Sequence, residues 1–374
     1  MQTQSEIERF DAVVVGGGPA GSTAAHWLAA RGFKVLLLDR AGRTKPCGGA
    51  IPPRLIQDFD IPEHLLVARA TAARMISPTD RRADIAIEGG YVGMVNRDAF
   101  DEWLRERARA SGAVRRAGTF ERIEQREGAE ALISYRCRVA HQPDRTESVV
   151  ARVVIGADGA RSEVARQALV TGDPGGYVFA YHEIISAPQA ARAASLHARC
   201  DVYYNGQLSP DFYGWVFPHG DTMSVGTGSA DKGFSLRDGV RKLRDVAGLG
   251  TAAVLRREGA PIPMRPRARW DNGVNVVLAG DAAGVVAPSS GEGIYYAMDS
   301  ARMAAQAAEE FLRTGRAKAL RGARRRFMKA HGRVFWILGV MQAFWYRSDR
   351  RRERFVSICQ DRDVQTLTFD AYMN

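Results

Sequence analysis

The stretch Asp11–Arg40, DAVVVGGGPAGSTAAHWLAARGFKVLLLDR, constrains the fold more than any other part of the chain. Ala12–Val15 is a short β-branched run, the composition of a strand buried on both faces of a parallel sheet. Gly16, Gly18 and Gly21 follow at the spacing G-x-G-x-x-G. Gly16 lets the chain turn tightly, Gly18 lets backbone approach a pyrophosphate, and Gly21 lets the next helix pack close to the strand. That helix runs through Ala24, Ala25, Trp27, Leu28 and Ala30 and is stopped by Gly32. A second strand, Val35–Leu38, delivers Asp39, a carboxylate placed to accept hydrogen bonds from ribose hydroxyls and to repel a 2′-phosphate. Arg40 follows as a further candidate contact. Strand, glycines, helix and acid in register predict a dinucleotide site in an α/β body, where a lone glycine turn would predict only a bend.

The fingerprint does not distinguish NAD from FAD. Two later segments do. VVIGADGARSEVAR (Val153–Arg166) is an apolar strand followed by Asp158-Gly159. VVLAGDAAGVVAPSSGEGIYYAM (Val276–Met298) is a strand ending in Gly280-Asp281, then a loop, then Gly291-Glu292-Gly293 opening a long helix. An Asp at a strand's C-terminal end can bond the hydroxyls of a ribityl chain. A helix N-terminus offers free N–H groups and the positive end of its dipole to the N1/C2 side of a reduced flavin. Each segment alone is an ordinary strand–turn–helix unit; the three in this order point to FAD, with Asp158, Gly159, Gly280, Asp281, Gly291 and Gly293 as contacts.

The chain resembles the flavoprotein class that includes aromatic hydroxylases and the geranylgeranyl reductases. It is more closely similar to the latter in KPCGGAIPPRL (Lys45–Leu55), in SPDFYGWVFPHG (Ser209–Gly220) and in the tail from His331 to DVQTLT at Asp363. The resemblance implies reduction of a geranylgeranyl group to phytyl, on a chlorophyll or bacteriochlorophyll ester or on geranylgeranyl diphosphate. It implies that Pro210, Tyr213, Trp215, Phe217 and Pro218 wall a prenyl tunnel. On composition alone, an aromatic strand is more often plain core. It also places Gly48 and Gly49 beside the isoalloxazine ring and Arg97 on the pyrophosphate; without it, Arg97 reads as a solvated first-turn arginine on a helix with Phe100, Trp103 and Leu104 inward. Cys47 is the first candidate proton source, Tyr213 the second and His219 the third. Cys47 also reads as a small packing residue. The resemblance implies NADPH as the electron donor, with ferredoxin or another carrier as alternatives; no second dinucleotide fingerprint occurs, since GTGSAD (Gly226–Asp231) lacks the third glycine and opens no helix, so the nucleotide would visit the flavin without a Rossmann domain of its own.

The expected fold class is α/β: a Rossmann-type FAD-binding domain (1–75, 93–174 and 270–330) interleaved with a smaller strand-rich substrate domain (76–92 and 175–269), plus a helical C-terminal segment (331–374). The net charge of +11 admits nucleic acid, an anionic membrane or an anionic substrate. No zinc-finger spacing or RNP-type aromatic signature supports nucleic acid. The four cysteines form no C-x-x-C pair, so no metal is expected, and the polar start predicts a cytoplasmic protein. VFWILGVMQAFWY (Val334–Tyr346) is apolar almost all round and too short to span a bilayer. It reads either as a lid packed on the core or as an interfacial anchor, peripheral on a photosynthetic membrane, with Arg324–Arg326 and Arg350–Arg352 flanking it. Two other functions remain open on the sequence: a flavin- and oxygen-dependent aromatic hydroxylase, and a non-catalytic prenyl-binding escort.

Overall fold

A computed structural model describes residues 7–40, 45–87, 90–137, 144–169, 175–189 and 198–366. The strand Arg9–Val15 lies at the centre of a seven-stranded sheet. It pairs in parallel with Val35–Asp39 on one side and with Arg145–Gly156 on the other. The far edge of Arg145–Gly156 is shared: its first half pairs antiparallel with Ala131–Cys137 and its last residues pair in parallel with Val276–Leu278. The β-branched and leucine runs of these strands are completely buried, as a sheet covered on both faces requires. The helix Pro19–Ala29 packs on the long helix Ile294–Thr314, and both bury several alanines in the same core.

This pairing brings the C-terminal ends of four parallel strands to one rim. Gly16, Asp39, Ala157-Asp158 and Gly280-Asp281 therefore sit side by side, although up to 265 residues separate them in sequence. Ligands of open α/β sheets bind at this kind of rim.

A second, nine-stranded sheet faces the rim. Its order is Val254–Pro263, Tyr177–Ser186, Thr222–Ser229, Gly214–His219, Ala198–Tyr203, Leu66–Ile76, Val92–Val95 and Ala50–Ile51, with Arg82–Ala86 pairing Leu66–Ile76. The chain thus enters this sheet earlier than the sequence boundaries placed it. Ala50–Ile51, Leu66–Ile76 and the strand at Val92 all pair here, because their hydrogen-bonding partners lie in the second sheet. There is no break at residue 331 either. One helix runs Gly322–Trp345, and a second follows at Asp349–Ile358. The last part of the expected C-terminal segment, 367–374, lies outside the described residues.

Candidate active site

One cavity lies between the rim of the first sheet and the face of the second, and its lining changes character from one end to the other. At the rim the wall is backbone. Gly16 turns at φ +105, and a Cβ there would stand 2.3 Å from the Ala157 carbonyl oxygen. A Cβ on Gly21 would stand 1.7 Å from the Gly16 oxygen, so strand and helix touch through backbone. Gly18 and Gly159 differ: a Cβ on either meets no protein atom within 4 Å, and both line the cavity. The helix starting at Pro19 has no side-chain cap. An open, uncapped helix end beside small residues is a cradle for a pyrophosphate. Lys45 and Arg97 add positive charge to the same cavity. These residues fit FAD.

The acids of the rim divide. Asp281 lines the cavity, where Lys45 pairs with it. Asp158 does not line it: its carboxylate accepts from Ser162 Oγ at 2.5 Å and from the Glu163 and Val164 N–H groups at 2.7 and 3.1 Å, capping the short helix Glu163–Ala168. Burial raises the Asp158 pKa against those three donors. The expected ribityl contact at Asp158 thus becomes a helix cap, leaving Gly159 as the cavity-facing member of that pair. Asp39 stands against Gly17 and is held at 3.5 Å by Arg105, which also donates to the Gly17 carbonyl. Helical spacing gives no sign that Arg105 reaches Asp39 and the Gly17 carbonyl. Arg40 is exposed.

Arg97 is buried, not solvated. It donates to both Asp101 oxygens at 2.9 and 2.8 Å and reaches the Cys47 thiol. Burial disfavours its charge, but Asp101 and Cys47 hold its pKa above the ordinary arginine value. Cys47 lines the cavity, and its Sγ accepts from the Gly49 N–H at 3.4 Å. His219 does not line the cavity. It braces the Cys47–Gly49 loop from behind, since a Cβ on Gly49 would meet His219 Nε2 at 2.5 Å. Burial pushes the His219 pKa down to about 4, so it is neutral at neutral pH.

The far wall is side chain. Tyr213 precedes the strand Gly214–His219, and Trp215 and Phe217 lie on it; all three face the cavity, while Val216 points the other way into a cluster with Val240 and Leu243. Phe212, which the period-two reading missed, stacks on Tyr213 at 4.2 Å and also lines the cavity. Pro210 and Pro218 do not; Pro218 follows the alternation to the opposite face and Pro210 lies in the bend before the strand. The rejected GTG run has its own explanation. A Cβ on Gly226 would meet Trp215 Cζ2 at 2.2 Å, and one on Gly228 would meet Phe212 at 2.9 Å, so these glycines seat the aromatic rings. Tyr213 donates its hydroxyl proton to the Ser290 carbonyl. The apolar wall continues through Met75, Ile85 and Ile262.

A glycine-lined rim facing an apolar wall across one cavity defines a flavoprotein of the FAD-binding class, and the family model described as FAD binding domain matches residues 9–326. Within that class the chain belongs to the geranylgeranyl reductases. It is 58% identical over 366 residues to the geranylgeranyl diphosphate reductase of Rhodobacter capsulatus, an alignment covering 98% of this chain and 92% of that one. It is 36% identical to the geranylgeranyl diphosphate reductase of Synechocystis, covering 96% and 91%. The fold matches a geranylgeranyl bacteriochlorophyll reductase-like structure from Thermoplasma acidophilum with a TM-score of 0.87 at 22% identity, covering 98% and 96%.

Proposed function

We propose that the cavity presses a geranylgeranyl chain, carried as a pigment ester or as the free diphosphate, against FAD for saturation of its isolated double bonds. The protein is an FAD-dependent oxidoreductase of the prenyl chain. The observation that carries the reading is the continuity of one cavity from the Gly18 cradle to the Tyr213–Trp215–Phe217 wall. Bound FAD, once reduced, supplies hydride to the alkene. An isolated alkene has no carbonyl to hold charge, so the protein's work is positioning and exclusion of water. Aromatic and aliphatic side chains hold a hydrocarbon by shape, which polar groups cannot do along its length. When FAD is bound, Gly18, Gly159, Lys45 and Arg97 would hold its phosphates and ribityl chain, and the Cys47–Gly49 loop, braced by His219, would be the part of the wall nearest its ring by the family resemblance.

NADPH is the electron donor in this reading. The support is the family resemblance, and the nucleotide reaches the flavin without a Rossmann domain of its own.

The substrate is delivered from an anionic bilayer surface. On the helix Gly322–Trp345, Phe335 and Leu338 are buried, while Trp336, Val340 and Phe344 stand 70%, 49% and 47% exposed on one stripe. Arg333 and Arg347 are exposed beside them. Aromatic and aliphatic groups between arginines fit a headgroup boundary. The same helix reaches the cavity: Gln342 Oε1 accepts from the Ser289 N–H at 3.1 Å, and Ser289 lines the cavity. Lid and anchor are two faces of one helix. No described helix is long and apolar enough to cross a membrane.

The test is anaerobic. FAD-loaded protein is reduced with dithionite and mixed, in detergent, with geranylgeranyl diphosphate or with geranylgeranylated bacteriochlorophyll. A product two hydrogens heavier per step, with flavin reoxidised, is expected, and the active arm identifies the carrier. A product that gains oxygen when air is admitted, with no hydrogenated product in either arm, contradicts the reading in favour of a hydroxylase.

A further inference from the structure

We infer that Glu292 is the proton donor of the cavity, giving its carboxyl proton to the alkene carbon next to the one that receives hydride. The inference rests on the reductase reading above. Glu292 stands between Gly291 and Gly293, ahead of the helix Ile294–Thr314, and lines the cavity together with Cys47, Arg97 and the aromatic wall. Its Oε1 accepts from the Tyr295 N–H at 2.8 Å, which fixes the carboxyl at the helix entrance.

The charges around it are already matched. Lys45, from the Cys47 loop, pairs with Asp281. Arg97, from its own helix, is committed to Asp101 through both oxygens. Among the described residues no cation forms an ion pair with Glu292. The other titratable groups facing the cavity are Cys47 on its loop and Cys200, Tyr204, Tyr213 and His182 from the second sheet and its loops, and Tyr296 stands on the helix that follows Glu292. His182 turns one ring nitrogen to Ser224 and the other to Glu258, away from Glu292, and the thiols and phenols carry no positive charge. An unpaired carboxyl in an apolar enclosure favours its neutral form. Burial raises the Glu292 pKa to about 7, against the Tyr295 and Ile294 N–H groups and the more distant Arg97. Glu292 therefore exchanges its proton near neutral pH and can release it without a large driving force, the condition for general acid catalysis.

The alternatives are less well placed. Cys47 Sγ faces two donors, the Gly49 N–H and the Arg97 guanidinium, which use it as an acceptor. The Tyr213 proton is given to the Ser290 carbonyl, and His219 does not line the cavity. In the proposed step the C=C π bond breaks and two C–H bonds form. One carbon takes hydride from the reduced flavin, its neighbour takes the Glu292 proton, and the carboxylate left behind recovers a proton from water. Glu292 lay inside a segment read from the sequence only for its glycines and its helix end.

The experiment compares FAD-loaded wild type with Glu292→Gln, which keeps the shape and the acceptor oxygen. Infrared difference spectra across pH 5 to 9 read the protonated carboxyl directly. A carboxyl titrating near pH 7 in the wild type and missing in Glu292→Gln is expected. In single turnovers from reduced enzyme, Glu292→Gln should slow flavin reoxidation by geranylgeranyl substrate by about 100-fold or more, while its reduction by dithionite stays unchanged. Equal single-turnover rates, or no such titration, overturn the role of Glu292 and leave the reductase reading standing. If wild type itself gives no hydrogenated product, the reading and the proposal fall together.

Discussion

The two walls of the cavity are built by opposite means. At the rim of the first sheet the decisive atoms are those missing: a Cβ on Gly21 or Gly16 would strike backbone oxygens at 1.7 and 2.3 Å, which no side-chain rearrangement can relieve. On the second sheet the decisive atoms are those present. Gly226 and Gly228 are small because Trp215 and Phe212 fill the space above them. A polar cofactor with fixed phosphates is met by fixed backbone, and a featureless hydrocarbon is met by bulky rings whose positions other side chains set. The first kind of wall tolerates almost no change. The second changes by degrees.

The largest effect should come from the rim. A Cβ on Gly18 meets no protein atom within 4 Å, so Gly18→Val should fold with close to the wild-type melting temperature and yet purify colourless, its side chain occupying the phosphate cradle. Gly21→Ala should instead lower the melting temperature as well, because its clash is internal. If Gly18→Val retains yellow flavin, the cradle is elsewhere.

Next in size is Trp215→Ala. Loss of a buried Trp costs about 3–5 kcal/mol of stability, and prenyl turnover should fall by about 10- to 100-fold with FAD retained, as absorbance and product analysis would show. Gly226→Ala should act in the same direction by pushing Trp215 from its seat. Loss of FAD from either variant would erase the distinction between the walls.

His219 gives a smaller, pH-dependent effect. Its folded pKa of about 4 lies below the ordinary histidine value near 6.5, so on acidification the unfolded chain takes up a proton first. Its contribution is complete above about pH 6.5 and is lost as pH falls toward 4, to a total of about 3 kcal/mol. Melting temperatures from pH 7 to 4 should drop more steeply in wild type than in His219→Gln; parallel curves would mean that His219 is charged or exposed. The smallest effect on chemistry belongs to the outer stripe. Trp336→Ser with Phe344→Ser should abolish co-sedimentation with anionic vesicles while leaving turnover of detergent-dispersed substrate within about twofold, since surface substitutions seldom disturb the interior.

The same contrast explains what could be read from the sequence. The glycine fingerprint was legible because each glycine answers a local backbone demand, and Gly16, Gly18 and Gly21 sit as expected. The alternation of Tyr213, Trp215 and Phe217 was legible because a strand has period two. What depends on distant partners was hidden. Asp158 reads as a ligand contact until its cap on the following helix is visible, and Arg97, a pyrophosphate contact by the resemblance, gives no sign in the sequence of the Asp101 and Cys47 contacts that enclose it. The sequence boundaries put most of Leu66–Ile76 with the FAD-binding body, whereas it pairs in the second sheet, because partners far along the chain decide its place. Glu292 has no sequence signal beyond its flanking glycines; only the cavity reveals that no cation among the described residues forms an ion pair with it.

The central claim is that the prenyl chain lies between the Gly18 rim and the Trp215 wall. It is tested most directly by irradiating FAD-loaded protein with a geranylgeranyl analogue bearing a photoreactive group mid-chain and mapping the labelled residues by mass spectrometry. Labels on Tyr213, Trp215, Phe217 or Met75, suppressed by excess geranylgeranyl diphosphate, are the expected result. Labels confined to the outer stripe of Trp336, Val340 and Phe344, with the cavity residues untouched, would contradict it.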